Sequence, residues 1–512
     1  MATTNDHSFL SEQAPSVAKR IIVCCDGTWQ SSVSLDPEKG VPSNVTRLCR
    51  VLAKAGTDST GKVWEQIVYY DAGVGTGGIS NFEARRQGGL GIGLLENVME
   101  AYNFVVNNYS PGDELFFFGF SRGAYTTRST AGLATTIGVI KPWYLSDFIR
   151  LYHEYVALKP AKRKPSFADH PSWVEFVKKN PDLLISSNKD VKIKVIGVWD
   201  TVGALGVPDM GHWFKLNNSD WREKYEFHDV EINNRVENAY QALALDEQRS
   251  AFSPSVWKLT PENTRTNLCQ CWFPGAHINI GGGSSSNAGP NPTGDREQLA
   301  SISYAWMLDC IRPHLALDSE TYNKQFEAFE ELAHKKDAVT AKTKEGWFTW
   351  AWNKVAGASE IVLPDGYALG KIDDSHTFLY DVMGKPQPRT PGGYHDSTKG
   401  EFTTERVHPS VHIRQVATTP KNGEKYEKYQ PIAMAGWERI LEKYVGGDGA
   451  EKTGWQWVKW NKGKTKKERF IWEFRIGEMW RENSAEYRLI KNSWAGTEVW
   501  NDVRKGWGEV VA

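Results

Sequence analysis

The chain has 512 residues, 40% of them hydrophobic and 24% charged, a balance that excludes a disordered or collagen-like protein. Lys and Arg number 61 against 62 Asp and Glu, so no global charge pulls the chain toward nucleic acid, and any anionic contact must be a local patch.

Residues 1–18 form a polar leader without the layout of a signal peptide, and no run approaches the roughly 18 apolar residues of a membrane span. A cytoplasmic setting is therefore expected. Residues 20–25 (RIIVCC) read as a buried parallel strand ending at Asp26-Gly27-Thr28, and 45–52 as a short helix. A second strand, 66–70, leads into Gly73-Val74-Gly75-Thr76-Gly77-Gly78. This matches G-x-G-x-x-G, but no helix and acid-tipped strand follow at dinucleotide spacing, so that ligand is rejected. A helix is expected over 94–109, a strand over 115–118 (LFFF), a helix over 123–137, and strands over 191–199 and within 271–280. The alternation predicts an α/β fold with a mostly parallel sheet.

The six cysteines lack C-x-x-C spacing and read as buried, reduced thiols, with adjacent Cys24 and Cys25 on opposite strand faces. No zinc spacing or Walker sequence appears, so neither metal nor cofactor is expected.

Directly after LFFF stands Gly119-Phe120-Ser121-Arg122-Gly123, a G-x-S-x-G match in the strand-to-helix setting that a nucleophilic serine requires. The glycines let strand and helix approach closely, and the Arg122 amide would face a developing oxyanion, with Gly27 or Thr28 offering the second donor. In this architecture an acid and then a histidine follow the serine. Asp200, at the end of strand 191–199, is the expected acid, with Asp246 as the alternative. His277, after the next strand, is the expected base, with His376 the alternative; His408 also follows in order. The constellation predicts acyl-ester hydrolysis.

Together, Cys25 to Trp29, Ser43-Asn44-Val45, Tyr70 to Thr76, Gly119 to Ala124, Gly197 to Gly203 and Gly275 to Gly283 resemble an α/β-hydrolase family. Its bacterial members include type VI secretion phospholipase effectors, and it has an uncharacterised fungal branch. The resemblance covers about residues 18–315 and implies a Ser121–Asp200–His277 hydrolase acting on lipid or other esters. The chain departs from the family pattern at Asn279, where an acid is common, and at Ser284, where an aromatic is common. A non-catalytic interaction protein on a hydrolase scaffold is the competing expectation.

The predicted organisation is a hydrolase core over 19–315, where the sheet ends, with helical insertions at about 141–189 and 220–265. The first of these lies where hydrolases of this architecture insert a cap. An irregular or helical extension (316–425) and a Trp-rich module (426–512) follow. Nine of the 22 tryptophans fall from Trp437 onward, in strand-like segments around a Lys-rich turn, KGKTKKER, which reads as solvated rather than nucleic-acid-binding. A docked aromatic core accounts for them. A Trp- and Lys-bearing surface making transient membrane contact is the other reading.

Overall fold

The computed structural model describes residues 17–27, 41–73, 90–158, 166–202, 232–283, 298–326, 367–370, 372, 386–395, 398, 400–416, 429–445, 449, 451–476, 484–491 and 496–505. The elements in chain order are β1 (Lys19–Cys25), α1 (Asn44–Val51), β2 (Ala55–Thr57), β3 (Val63–Asp71), α2 (Leu90–Asn108), β4 (Glu114–Phe120), α3 (Ser121–Ile137), β5 (Val139–Ile140), α4 (Leu145–Ala157), α5 (Pro171–Lys179), β6 (Leu184–Ser186), β7 (Lys192–Trp199), β8 (Val236–Ala244), β9 (Asn267–Phe273), α6 (His277–Gly281), α7 (Gln298–Ile311), β10 (Glu405–Val407), α8 (Pro409–Val416), β11 (Trp437–Val445), β12 (Glu451–Trp460), β13 (Lys467–Glu473), α9 (Ala485–Lys491) and α10 (Gly496–Lys505).

Continuous apolar runs such as RIIVCC and LFFF can be buried only where both faces of a sheet are covered, and that is their position. Along β1, Ile21, Val23 and Cys25 pack on one face with α2 and α3. Ile22 and Cys24 pack on the other with α1, α7, α9 and α10. Adjacent Cys24 and Cys25 thus point to opposite faces. All six cysteines are free, but Cys49, Cys269 and Cys310 are half-buried rather than buried. In β4, Phe116, Phe117 and Phe118 are all fully buried, each contributing roughly 1.5–3 kcal/mol by leaving water.

Among the described residues one sheet of eleven strands runs β2-β3-β1-β4-β7-β8-β9-β10-β13-β12-β11. From β3 to β13 every neighbouring pair is parallel. The antiparallel pairs are β2 on β3 at one edge and β13-β12-β11 at the other. Three sequence expectations are corrected here. First, the sheet does not end near residue 315, because β10 pairs with β9 and carries β13, and with it the Trp-rich strands, into the same sheet. Second, residues 220–265 are not simply an insertion: β8 lies between β7 and β9, in the middle of the sheet. Its sequence, VENAYQALA, has one β-branched residue and lacks the run that marks the other central strands.

Third, the described part of 141–189 does not cap the serine. α3 spans 17 residues, about 25 Å, and the segment attaches at the end away from Ser121. There β5 pairs with β6 and Asn188 Nδ2 donates to the Thr136 carbonyl at 2.9 Å. Its aromatic residues Phe148, Tyr152, Phe167 and Trp173 pack together against the α2 face.

Several tryptophans of the C-terminal part, in β12, β13 and α10, pack against protein. Trp457 is 1% exposed and its Nε1 donates to Glu473 at 3.0 Å. Trp455 lies under the Arg439 guanidinium, Trp472 packs on Tyr444 and Trp500 on Tyr487. Trp457 joins Trp272, Val407 and Val411 in a core shared with β9, β10 and α8. Among the described residues no helix is long and apolar enough to cross a membrane.

Candidate active site

The site forms where β1, β4, β7 and β9 end. Ser121 follows β4 directly and has φ 56°, a backbone state costly for a non-glycine residue and one that recurs at functional turns. The flanking glycines are sterically required. A Cβ on Gly119 would stand 2.6 Å from the Gly123 carbonyl oxygen, and one on Gly123 would stand 2.2 Å from the Cys25 carbonyl oxygen and 2.4 Å from that of Asp26. These are backbone atoms of the turn itself and of β1, which cannot yield without moving the strand. Gly123→Ala is therefore expected to cost about 3 kcal/mol or more, at the upper end of overpacking. Thermal unfolding would measure it, and loss of serine reactivity should accompany it.

Asp200, at the end of β7, is fully buried with φ 37°. His277 opens α6. Its Nε2 lies 2.8 Å from Ser121 Oγ and its Nδ1 lies 2.6 Å from Asp200 Oδ2. With the proton on Nδ1, the ring donates to Asp200 and accepts from the serine hydroxyl. Phe120 and Phe252 pack against the imidazole with centroids 4.8 and 4.9 Å away. Three of the expected site residues thus form one hydrogen-bonded chain.

The acid has partners beyond the histidine. The Ala244 amide donates to Asp200 Oδ1 at 3.0 Å, and Arg389 places Nη1 on Oδ1 and Nη2 on Oδ2, both at 3.1 Å. Burial alone would raise the Asp200 pKa. The Arg389 charge, the His277 bond and the Ala244 amide outweigh it and hold the carboxyl at about 2. Arg389 and Glu247 are site residues that the sequence reading did not include. Glu247 Oε2 accepts from the His277 amide at 3.2 Å, while both its oxygens take the Arg249 fork at 2.8 Å. Burial works to raise the Glu247 pKa, but Arg249 prevails and keeps it low.

The alternatives separate cleanly. Asp246 is not on the imidazole: its Oδ2 accepts from the Gly275 amide at 2.6 Å and from the Tyr429 hydroxyl at 2.7 Å, so it braces the loop that carries His277. His376 lies outside the described residues. His408 is fully buried between Ser410 Oγ at 2.7 Å and Glu486 Oε1 at 2.6 Å.

Asp26 anchors its loop. Its carboxylate accepts from Ser43 Oγ (2.5 Å), Thr46 Oγ1 (3.0 Å), Tyr70 Oη (2.9 Å) and the Gly27 amide (2.8 Å). Burial raises its pKa, and these donors only partly offset it. The Gly27 amide is thereby directed at Asp26 rather than at Ser121, which corrects its expected oxyanion role. Glycine is still needed there, since a Cβ would meet the Phe120 ring at 2.6 Å. Thr28 lies outside the described residues. Arg122, the second residue of α3, sets its backbone amide beside Ser121, and burial lowers its guanidinium pKa to about 10.

Asn279 Oδ1 accepts the Ala276 amide at 3.0 Å, a bond that a carboxylate in its place would also make. The departure from the family pattern therefore keeps the loop contact. Ser284 lies outside the described residues.

A mostly parallel sheet with helices on both faces, and a strand–serine–helix turn at the end of a central strand, defines the α/β-hydrolase class of fold. Within that class the chain belongs to the family described as "T6SS, Phospholipase effector Tle1-like, catalytic domain", which matches residues 19–310. The uncharacterized protein YEL023C of Saccharomyces cerevisiae is 27% identical over 293 residues, 52% of this chain and 38% of the yeast protein. The chain thus matches well under half of that relative's length. Two solved structures are similar. The Tle1 effector bound to the VgrG spike of the Type 6 secretion system has 20% identity and a TM-score of 0.30 over 55% of this chain and 53% of that one. An uncharacterized protein from Pseudomonas aeruginosa has 19% identity and a TM-score of 0.31 over 58% and 46%.

Proposed function

We propose that this protein is a serine hydrolase that cleaves acyl esters, with a lipid or phospholipid as substrate. The observation that carries this reading is the Ser121–His277–Asp200 chain, with its 2.8 and 2.6 Å links. The phospholipase description of the family supports the substrate class.

In the proposed reaction, Ser121 Oγ attacks the ester carbonyl carbon as His277 Nε2 takes the hydroxyl proton. Asp200 holds the Nδ1–H tautomer and stabilises the imidazolium. The Arg122 amide donates to the oxyanion. Collapse breaks the acyl–oxygen bond, and His277 returns its proton to the leaving alcohol. A water, deprotonated by the same imidazole, then attacks the acyl-Ser121 carbonyl and releases the acid, restoring the serine. The six free cysteines support a reducing, cytoplasmic setting.

Incubation of the full chain with a fluorophosphonate probe, followed by peptide mapping, tests the reading directly. One label per chain on the peptide containing Ser121, and fatty acid released from phosphatidylcholine vesicles, are expected. No label under conditions that modify a control serine esterase overturns the proposal.

A further inference from the structure

The family match ends at residue 310, yet the buried acid of the site is gripped by a side chain 189 residues beyond it in sequence. We propose that Arg389 is a positioning residue that fixes the Asp200 carboxylate in the orientation that meets His277 Nδ1, so that the reactive centre is completed by chain outside the residues the family matches. The inference rests on the roles proposed above for Asp200 and His277.

The geometry is that of a built contact. The Arg389 side chain is 2% exposed and Asp200 is fully buried. The planar fork meets both carboxylate oxygens, the arrangement in which arginine outperforms a point charge. Nη2 also donates to the Phe252 carbonyl at 2.7 Å, and the Phe252 ring packs edge-on against His277. One guanidinium thus fixes both the acid and a wall of the imidazole. The Arg389 loop is itself pinned on each side. The Gln387 amide donates to the Gln248 carbonyl at 2.8 Å, and the Gly392 amide donates to Glu405 Oε2 at 2.8 Å, an oxygen that also takes Trp272 Nε1 of β9.

The charge has a chemical consequence. Asp200 Oδ2 is shared between Arg389 and His277, so a fixed cation stands close to the imidazole. It keeps the acid ionised despite burial, so the carboxylate remains an acceptor for the Nδ1 proton. Among the described residues, the other charged groups around the pair are Glu247, capped by Arg249; Asp246, held by Gly275 and Tyr429; and Arg122, beside the serine. None of these reaches the Asp200 carboxylate among the contacts above.

The His277 Nδ1–H resonance, assigned by its loss in His277→Gln, can be followed by NMR in the full chain as wild type, Arg389→Met, Arg389→Gln and Arg389→Lys. The short bond to Asp200 should hold this proton far downfield in wild type; the signal is expected to move upfield or to vanish in the Met and Gln variants and to be partly retained in the Lys variant, which keeps a donor but not the planar fork. In the same variants kcat should fall by about tenfold or more while KM changes little, as expected when the base is misplaced and substrate contacts are not. Arg389→Gln keeps a polar, uncharged end in the same space and is the variant to rely on should Arg389→Met not fold. A downfield signal at the wild-type position in both the Met and Gln variants overturns the inference. The spectrum needs no turnover: the expected loss of the downfield signal in a protein that cleaves no ester would support this inference while rejecting the hydrolase reading.

Discussion

Ser121→Ala is expected to abolish both fluorophosphonate labelling and turnover of short-chain aryl esters, with kcat/KM falling by roughly 10⁶-fold toward the background rate. Alanine keeps the Cβ, so the tight approach of β4, α3 and the end of β1 is undisturbed, and only the oxygen facing His277 Nε2 is lost. Stability should therefore change by less than about 1 kcal/mol, within the range of a single net hydrogen bond. The combination matters, because a drop in activity with an unchanged unfolding curve assigns the loss to chemistry. His277→Ala should lose nearly as much, and the double variant no more than either single one, since the two groups act as a unit. Labelling of Ser121→Ala at the wild-type rate would place the nucleophile elsewhere.

That serine was legible because its constraint is local. A nucleophilic turn needs a buried strand before it, a helix after it and small residues on each side, and all three are contiguous from Leu115 to Ala124. Asp200 and His277 were legible for a related reason, as each stands just past an apolar strand where a parallel sheet presents its site. Asp246 and Glu247 are adjacent acids that sequence alone could not sort. The fold sends one to the Gly275 amide and the other to the His277 amide, and neither reaches the imidazole. Strand β8 was hidden because Ala, Asn, Gln and Glu dominate it, and its place in the sheet comes from burial between β7 and β9 rather than from propensity. Arg389 was beyond reach altogether. It lies in a segment without periodicity, and only tertiary contact gives it a partner. The Trp-rich strands were recognisable as strands, but their continuity with the main sheet depends on β10, three residues long, which no pattern marks.

Asp200→Asn is expected to damage the protein in two separable ways. The amide replaces one oxygen with an N–H donor. Ala244 and Arg389 Nη1 claim the Oδ1 position, so the new NH2 faces His277 Nδ1. The ring must then carry its proton on Nε2 and cannot accept from Ser121, a tautomer fault worth about 10⁴-fold in kcat. The second loss is stability. Arg389 Nη2 would oppose the same NH2, leaving a buried guanidinium without a counter-charge, at a cost of about 3–5 kcal/mol. The pH dependence follows from the acid's low pKa. The folded pKa of about 2 lies below the ordinary 3.8, so the stabilisation from Asp200 is present above that ordinary value and is lost as pH falls toward 2. The gap in unfolding free energy between wild type and Asp200→Asn should therefore narrow over that window. Adding Arg389→Gln to Asp200→Asn removes the stranded charge. The double variant should recover part of the lost stability and none of the lost turnover, a coupling that a double-mutant cycle reads directly. Equal, additive destabilisation by the two changes would mean that the fork and the carboxylate do not act as a pair.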